Sequence, residues 1–172
     1  EELHQAIKRA NTAIHTTAEQ GDGTLIGMGC TCEAAFIHQG RLYLAHVGDS
    51  RTYLYRDGSI RQLTVDQTLV TRLMAMGVIN EEEALNHPRR HELDQALGSS
   101  HPVEVQLLSE PLQVGDALIL CSDGLTTHVN DRSISEVLRN THHAEAAARR
   151  LVNLANALGG SDNVTVAVVR IR

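Results

Sequence analysis

Four short apolar segments follow one another between residues 31 and 63, and the small residues between them narrow the possible folds sharply. The segments cover residues 31–37, 41–47, 51–55 and 60–63, and the breaks are Gln39-Gly40, Gly48-Asp49-Ser50 and Asp57-Gly58. Each is too short for an ordinary helix and suits a strand. Asp-Gly between two apolar runs is a strong hairpin signal, because both residues accept the left-handed backbone of a tight type I′ turn. Residues 53–63 are therefore expected to form a hairpin within one antiparallel meander.

Helical periodicity flanks this region. Leu3, Ile7, Ala10, Ile14 and Ala18 recur on one helical face, and Gly21-Asp22-Gly23 ends the pattern. Asp66 is placed to cap a helix reaching Met76, with Gly77 as its stop, and Asn80 caps a short helix with Glu83 three residues on. Residues 87–100 are polar and irregular, and are expected to form a mobile surface flap. Strands are expected over 103–108 and 117–121, helices over 131–140 and 144–158, and a last strand over 163–171. Segregated runs of strands and helices imply an α+β fold with largely antiparallel sheets.

A length of 172 residues suits one domain, and an apolar share of 42% excludes a disordered chain. With three Tyr, one Phe and no Trp, the core must rest on Leu, Val, Ile and Ala. The net charge of −6 argues against a nucleic-acid binder that works through phosphate contacts. No apolar run approaches the roughly 20 residues of a membrane helix. The first residues neither resemble a signal peptide nor begin with Met, so a fragment or processed product is expected. Cys30, Cys32 and Cys121 lack a disulfide framework and are expected to be buried thiols in a reducing, cytoplasmic setting.

Three carboxylates share one context. Asp49 and Asp123 each follow an apolar strand, Asp162 precedes one, and all three adjoin Gly or Ser. Asp is common at turns for local hydrogen-bonding reasons alone. Acids brought together at one sheet rim would instead repel unless a cation joins them, and oxygen-only donors suit magnesium or manganese. The residues themselves leave both readings open.

Six segments resemble, in order and in context, the protein phosphatase 2C-like (PPM) family of metal-dependent Ser/Thr phosphatases, and its compact bacterial members above all. They are Gly27-Met28-Gly29-Cys30-Thr31, the stretch Ala45-His46-Val47-Gly48-Asp49-Ser50-Arg51-Thr52-Tyr53, and Leu63-Thr64-Val65-Asp66-Gln67-Thr68. The others are Gln95-Ala96-Leu97-Gly98, Cys121-Ser122-Asp123-Gly124-Leu125-Thr126 and Gly160-Ser161-Asp162-Asn163-Val164-Thr165-Val166. The resemblance spans residues 1–172 and implies a four-layer αββα sandwich of two mostly antiparallel sheets flanked by helices. It implies a single phosphatase domain, with residues 66–98 as the flap region that governs substrate access.

The implied activity is hydrolysis of phosphoserine and phosphothreonine in proteins, by a water activated between two Mn or Mg ions. Asp123 and Asp162 would be ligands of one of the paired ions, and Asp49 of a third, more weakly held ion. Ser122, Gly124 and Asn163 would shape the turns that aim these acids. The implied partners are phosphorylated proteins made by Ser/Thr kinases, with no role for nucleic acid or membrane. The family's phosphate-gripping Arg, its Asp-Gly-Met-Gly-Gly-like turn with the bridging Asp, and its general-acid His are not found in these residues, and Asp22 stands in the wrong place to substitute. The C-terminal three-quarters of the domain is therefore expected, weak or inactive alone within an active parent. The alternative is a non-catalytic regulatory binding module.

Gln67-Thr68 and Cys30 depart from the family pattern without supplying a ligand. Arg89 and Arg90 in the flap are either a solvated pair or a contact for a phosphoprotein. His46 is expected as a hydrogen-bonded core residue, Arg51 as a partner of Asp49 or a nearby acid, and most of the ten histidines as surface groups. Neither Ser122 nor Ser161 has a His partner at triad spacing, which excludes a serine hydrolase.

Overall fold

Leu3, Ile7, Ala10, Ile14 and Ala18 do form one face of a helix, α1, Glu2–Gln20, with Ile7 and Ala18 fully buried. The structure, a computed structural model, describes residues 1–21, 23–99 and 102–172, so Asp22, Ser100 and His101 lie outside the described residues. After α1 come strands β1, Cys32–His38, β2, Arg41–Val47, β3, Arg51–Arg56, and β4, Ser59–Gln62. Helices α2, Leu69–Ala75, and α3, Glu81–Leu85, follow, then strands β5, Gln106–Pro111, and β6, Ala117–Cys121. The chain ends with α4, Asp123–Thr126, α5, Asp131–Arg139, α6, Ala144–Ala157, and β7, Val166–Arg170. The fold is mixed α+β with two antiparallel sheets, one ordered β1-β2-β5 and the other β4-β3-β6-β7.

The chain divides into two compact units. The first comprises Glu1–Phe36, Tyr43–Asp49 and Asp66–Ser109. Its core gathers Ile7 of α1, Ala45 and Val47 of β2, Leu97 and Val103, with Leu3, Ala10, Ile14, Cys32, Ala34 and Val105 packed around them. Two buried polar groups sit inside this apolar setting. His46 is fully enclosed and its Nδ1 meets Glu33 Oε1, as expected of a core histidine. Asn11 is 1% exposed on the helix face, and its Oδ1 accepts from Gly98 N at 2.7 Å. Both polar side chains are therefore satisfied, which burial demands.

The second unit comprises Ile37–Leu42, Ser50–Val65 and Glu110–Arg172. Asp57 and Gly58 both take positive φ, 51° and 81°, and make the expected hairpin, with Arg56 opposite Ser59. β6 runs between β3 and β7, with Tyr53 facing Ile119 and Ile119 facing Val168. Strand alternation then sends Tyr53, Tyr55, Ala117, Ile119 and Cys121 to one face. There they meet Leu125, Val129, Ile134 and Leu138, and Ala147, Leu151 and Ala155 of α6. Each fully buried Leu or Ile contributes about 1.5–3 kcal/mol. Burial pushes the Tyr53 phenol well above its ordinary pKa, and a bond from Arg51 opposes the shift only in part. At the sheet's far end Arg56 grips buried Asp116 through Nε and Nη2, at 2.9 and 2.7 Å, and Gln113 N adds a bond at 2.8 Å. The Arg56 bonds hold the Asp116 carboxyl below the usual carboxylate range.

Several expectations need correction. The meander is broken at Gly48-Asp49-Ser50: β1 and β2 belong to one sheet, β3 and β4 to the other. Helix α2 is capped by Thr68, not Asp66, because Gln67 N and Leu69 N are already bonded to Gly48 O and Glu92 O. Strand β5 starts three residues later than its apolar pattern suggests, since Val103 enters the core and Glu104 N bonds Gln95 Oε1. The segment expected as a mobile flap is bonded to its surroundings: Arg72 pairs with Asp94, Leu69 N donates to Glu92 O at 2.8 Å, and buried Leu97 bridges Cys30. Cys121 is buried, but Cys32 is half-buried and Cys30 exposed, because Cys30 precedes the strand proper. No helix among the described residues is long and apolar enough to cross a membrane.

Candidate metal centre

Strand β6 delivers Asp123. Immediately after Cys121, Ser122 takes an extended backbone as the N-cap of α4, and Asp123 is that helix's first residue. Leu125 and Val129 are 0% and 1% exposed, so the apolar core anchors the turn from below. Opposite lies the approach to β7. Cys121 pairs with Val166, which carries residues 162–165 alongside 122–124.

The two turns are stitched together. Ser122 N donates to Thr165 O at 3.1 Å, Thr165 N donates to Ser122 Oγ at 3.0 Å, and Ser122 Oγ donates to Asn163 O at 3.2 Å. Gly124 closes the approach, since a Cβ there would lie 2.4 Å from Asn163 O and 3.0 Å from Asn163 C. Only a residue without a side chain permits this contact. Asp162 is exposed, and its Oδ1 accepts from Asn163 N at 2.7 Å, while Asp123 is half-buried. Asp123 and Asp162 thus hang from two turns in direct backbone contact, and Ser122, Gly124 and Asn163 all take part in that contact.

A second link was not legible in the sequence. His128 Nε2 lies 2.8 Å from Ser161 Oγ, and Ser161 N donates to the same nitrogen at 3.4 Å. Ser161 therefore does have a histidine partner, contrary to expectation, supplied from 33 residues away through the β6–β7 pairing. No local pattern marks His128: it lies between buried Leu125 and Val129 in a stretch too short to show periodicity.

Asp49 belongs to the first unit, at the end of β2, and is half-buried. Beside it, Gly48 has φ 109°, and a Cβ there would meet Thr31 Cγ2 at 2.4 Å. Gln67 braces the same turn: its Oε1 accepts from Gly48 N at 2.8 Å and its Nε2 donates to Glu104 O at 3.1 Å. The residue that departs from the family pattern is thus a tie between the end of β2 and the chain leading to β5. Arg51 donates to Tyr53 Oη at 3.2 Å. Arg89 is engaged by Glu92 at both Nε and Nη2, which lowers the Glu92 pKa, and Arg90 is exposed.

The donor chemistry at Asp123 and Asp162 fits a hard cation, because both are carboxylates at turns open to solvent. Among the described residues no group of three or more His, Cys, Asp or Glu is gathered closely enough to hold an ion unaided.

A family model described as Protein phosphatase 2C matches residues 1–159. The Serine/threonine phosphatase stp of Listeria monocytogenes is 41% identical over 167 residues, covering 97% of this chain and 66% of that protein. This chain thus spans just under two thirds of that relative's length. The solved serine/threonine phosphatase of S. agalactiae superposes with a TM-score of 0.91 at 38% identity, covering 96% of this chain and 68% of that one. The catalytic domain of the serine threonine protein phosphatase PstP, solved in complex with two manganese ions, gives a TM-score of 0.86 at 40% identity. It covers 99% of this chain and 70% of that one.

Proposed function

The chain belongs to the protein phosphatase 2C family, and from that premise we propose that it carries part of the centre of a metal-dependent protein-serine/threonine phosphatase. The reading rests on one observation: the turns bearing Asp123 and Asp162 are locked together by Ser122 and by the close approach of Gly124 to Asn163. Asp123 and Asp162 would contribute carboxylate oxygens to one of two Mn or Mg ions, and Asp49 would contribute to a third. Such ions supply Lewis-acid stabilisation of phosphoester hydrolysis. Ser122 holds the two turns at a fixed separation, Gly124 lets them touch, and Asn163 holds the Asp162 carboxylate through its N–H. Arg90 is exposed, which suits it to face a phosphoprotein substrate, and Arg89 would join it by exchanging its Glu92 partner for phosphate.

The family match over residues 1–159 supports one phosphatase domain across 1–172, and residues 66–98 are assigned as its flap. The bacterial phosphatases it resembles support phosphoproteins, products of Ser/Thr kinases, as substrates. The free thiols of Cys30, Cys32 and Cys121 support a cytoplasmic setting.

The Asp that the family resemblance expects to bridge the paired ions has no counterpart among these residues. Residues 1–172 alone are therefore expected to bind manganese weakly and to turn over para-nitrophenyl phosphate poorly. Binding should be lost in both Asp123→Asn and Asp162→Asn, measured by manganese electron paramagnetic resonance. Unchanged affinity in both variants would refute the assignment. Robust manganese-dependent turnover by the wild-type chain would refute the expectation of weakness, and a regulatory binding module along with it.

A further inference from the structure

We propose that His128 is a positioning residue for Asp162, acting by clamping the turn at residues 159–161; the proposal rests on the reading of Asp162 as an ion ligand. Asp162 stands between two anchors that arise from one short segment. On its C-terminal side Asn163 is held by Ser122 and abuts Gly124. On its N-terminal side Ser161 meets His128 Nε2 through both Oγ, at 2.8 Å, and N, at 3.4 Å. Nε2 is the accepting nitrogen in the backbone bond, which leaves the ring proton on Nδ1. Residues 122–128 therefore grip both sides of the acid while also carrying Asp123.

The clamp is rigid at its root. His128 N donates to Leu125 O at 3.2 Å and Val129 N donates to Leu125 O at 2.9 Å, and both Leu125 and Val129 are buried. The imidazole lies against Gly159, where a Cβ would stand 2.7 Å from Cε1, 3.1 Å from Nδ1 and 3.3 Å from Nε2. Gly159 and Gly160 have φ of 153° and 54°, and two adjacent glycines are the freest stretch a backbone can offer. Gly160 N is tied to Ala155 O at 3.2 Å, which fixes the turn to the end of α6. Between that tie and Asn163, His128 supplies the side-chain contacts to Ser161. Without them, the N-terminal side of Asp162 would be held at Gly160 rather than at the adjacent Ser161.

The test uses residues 1–172 as wild type, His128→Ala and His128→Gln, whose Oε1 can accept the same two bonds. Three quantities are measured: amide exchange along the chain without metal, manganese affinity by electron paramagnetic resonance, and the urea unfolding midpoint. His128→Ala is expected to speed exchange at Ser161 and Asp162 by about tenfold, with β6 and β7 unaffected. Manganese affinity should fall by roughly three- to tenfold with an unchanged midpoint, since a small misplacement of a site group is costly. His128→Gln should recover both. Unaltered exchange at 161–162 overturns the proposal whatever the metal does, as does unaltered affinity where the wild type binds. Faster exchange spread over β6 and β7 with a lowered midpoint assigns His128 to general stability and also overturns it. If the wild type binds no manganese, the ligand reading fails and takes the positioning role with it, while the exchange pattern still reports whether the clamp exists.

Discussion

Alanine at Gly124 would set two physical effects against each other. The residue lies inside α4 with an ordinary negative φ, so helix propensity alone predicts a gain of about 0.5–1 kcal/mol. Packing predicts the reverse. The new methyl carbon would stand 2.4 Å from Asn163 O, whereas ordinary contact begins at 3.4 Å, so one backbone must move. The required retreat is about 1 Å, and overpacking of this kind costs roughly 1–3 kcal/mol. Neither side yields easily. Asn163 O is held by Ser122 Oγ, and the α4 turn is pinned by buried Leu125. We expect the upper part of that range, about 2–3 kcal/mol, which leaves a net loss of about 1–2.5 kcal/mol after the propensity gain. Urea denaturation followed by circular dichroism would show a lowered midpoint at unchanged slope. Manganese affinity should fall about tenfold or more, because the Asp162 turn has been pushed away from Asp123. A variant as stable as the wild type, or more so, with undiminished affinity would show that the two turns are not in contact.

Asp116→Ala should cost about 1–2 kcal/mol, because it leaves Gln113 N and two guanidinium donors of Arg56 without their shared acceptor; thermal unfolding measures this. Asp116 has a lowered folded-state pKa, so its stabilisation is complete above the ordinary carboxylate pKa of about 3.9 and is lost as pH falls through the folded value. Asp116→Asn should accordingly flatten the acid side of a stability–pH curve. Asn11→Ala should cost about 1–3 kcal/mol by leaving the buried Gly98 N–H unpaired, and should raise amide exchange at Gly98 first. Gln67→Ala removes partners of Gly48 N and Glu104 O, and a lowered urea midpoint of similar size is expected.

The parts of the fold that were legible in the sequence are those set by local chemistry. Asp57-Gly58 specified its hairpin because few other dipeptides accept two positive φ values in succession. The face of α1 followed from helical spacing, and the capping box at Asn80 and Glu83 followed from its three-residue interval. What failed depended on partners far along the chain. Asp66 looks as good a cap as Thr68 until Gln67 and Leu69 are seen bonded to Gly48 and Glu92. Residues 103–105 have a strand-like composition, yet Val103 is committed to a core shared with Ile7. At the candidate site the acids at strand ends were visible, as were the small residues beside them. The link from His128 to Ser161 was not, because it exists only once β6 and β7 are paired. Gln67 was passed over for lacking ligand chemistry, although its amide is a structural tie.

The two strands that present Asp123 and Asp162 are unequal. β6 is bonded along both flanks, to β3 and β7, whereas among the described residues β7 has β6 alone as its neighbour in the sheet. Thermal breathing starts where a strand has one partner, so the Asp162 side should open before the Asp123 side on warming. Cation affinity would then weaken at temperatures well below global melting, with Asp123 still seated, and residence time would be governed by how often β7 peels from β6.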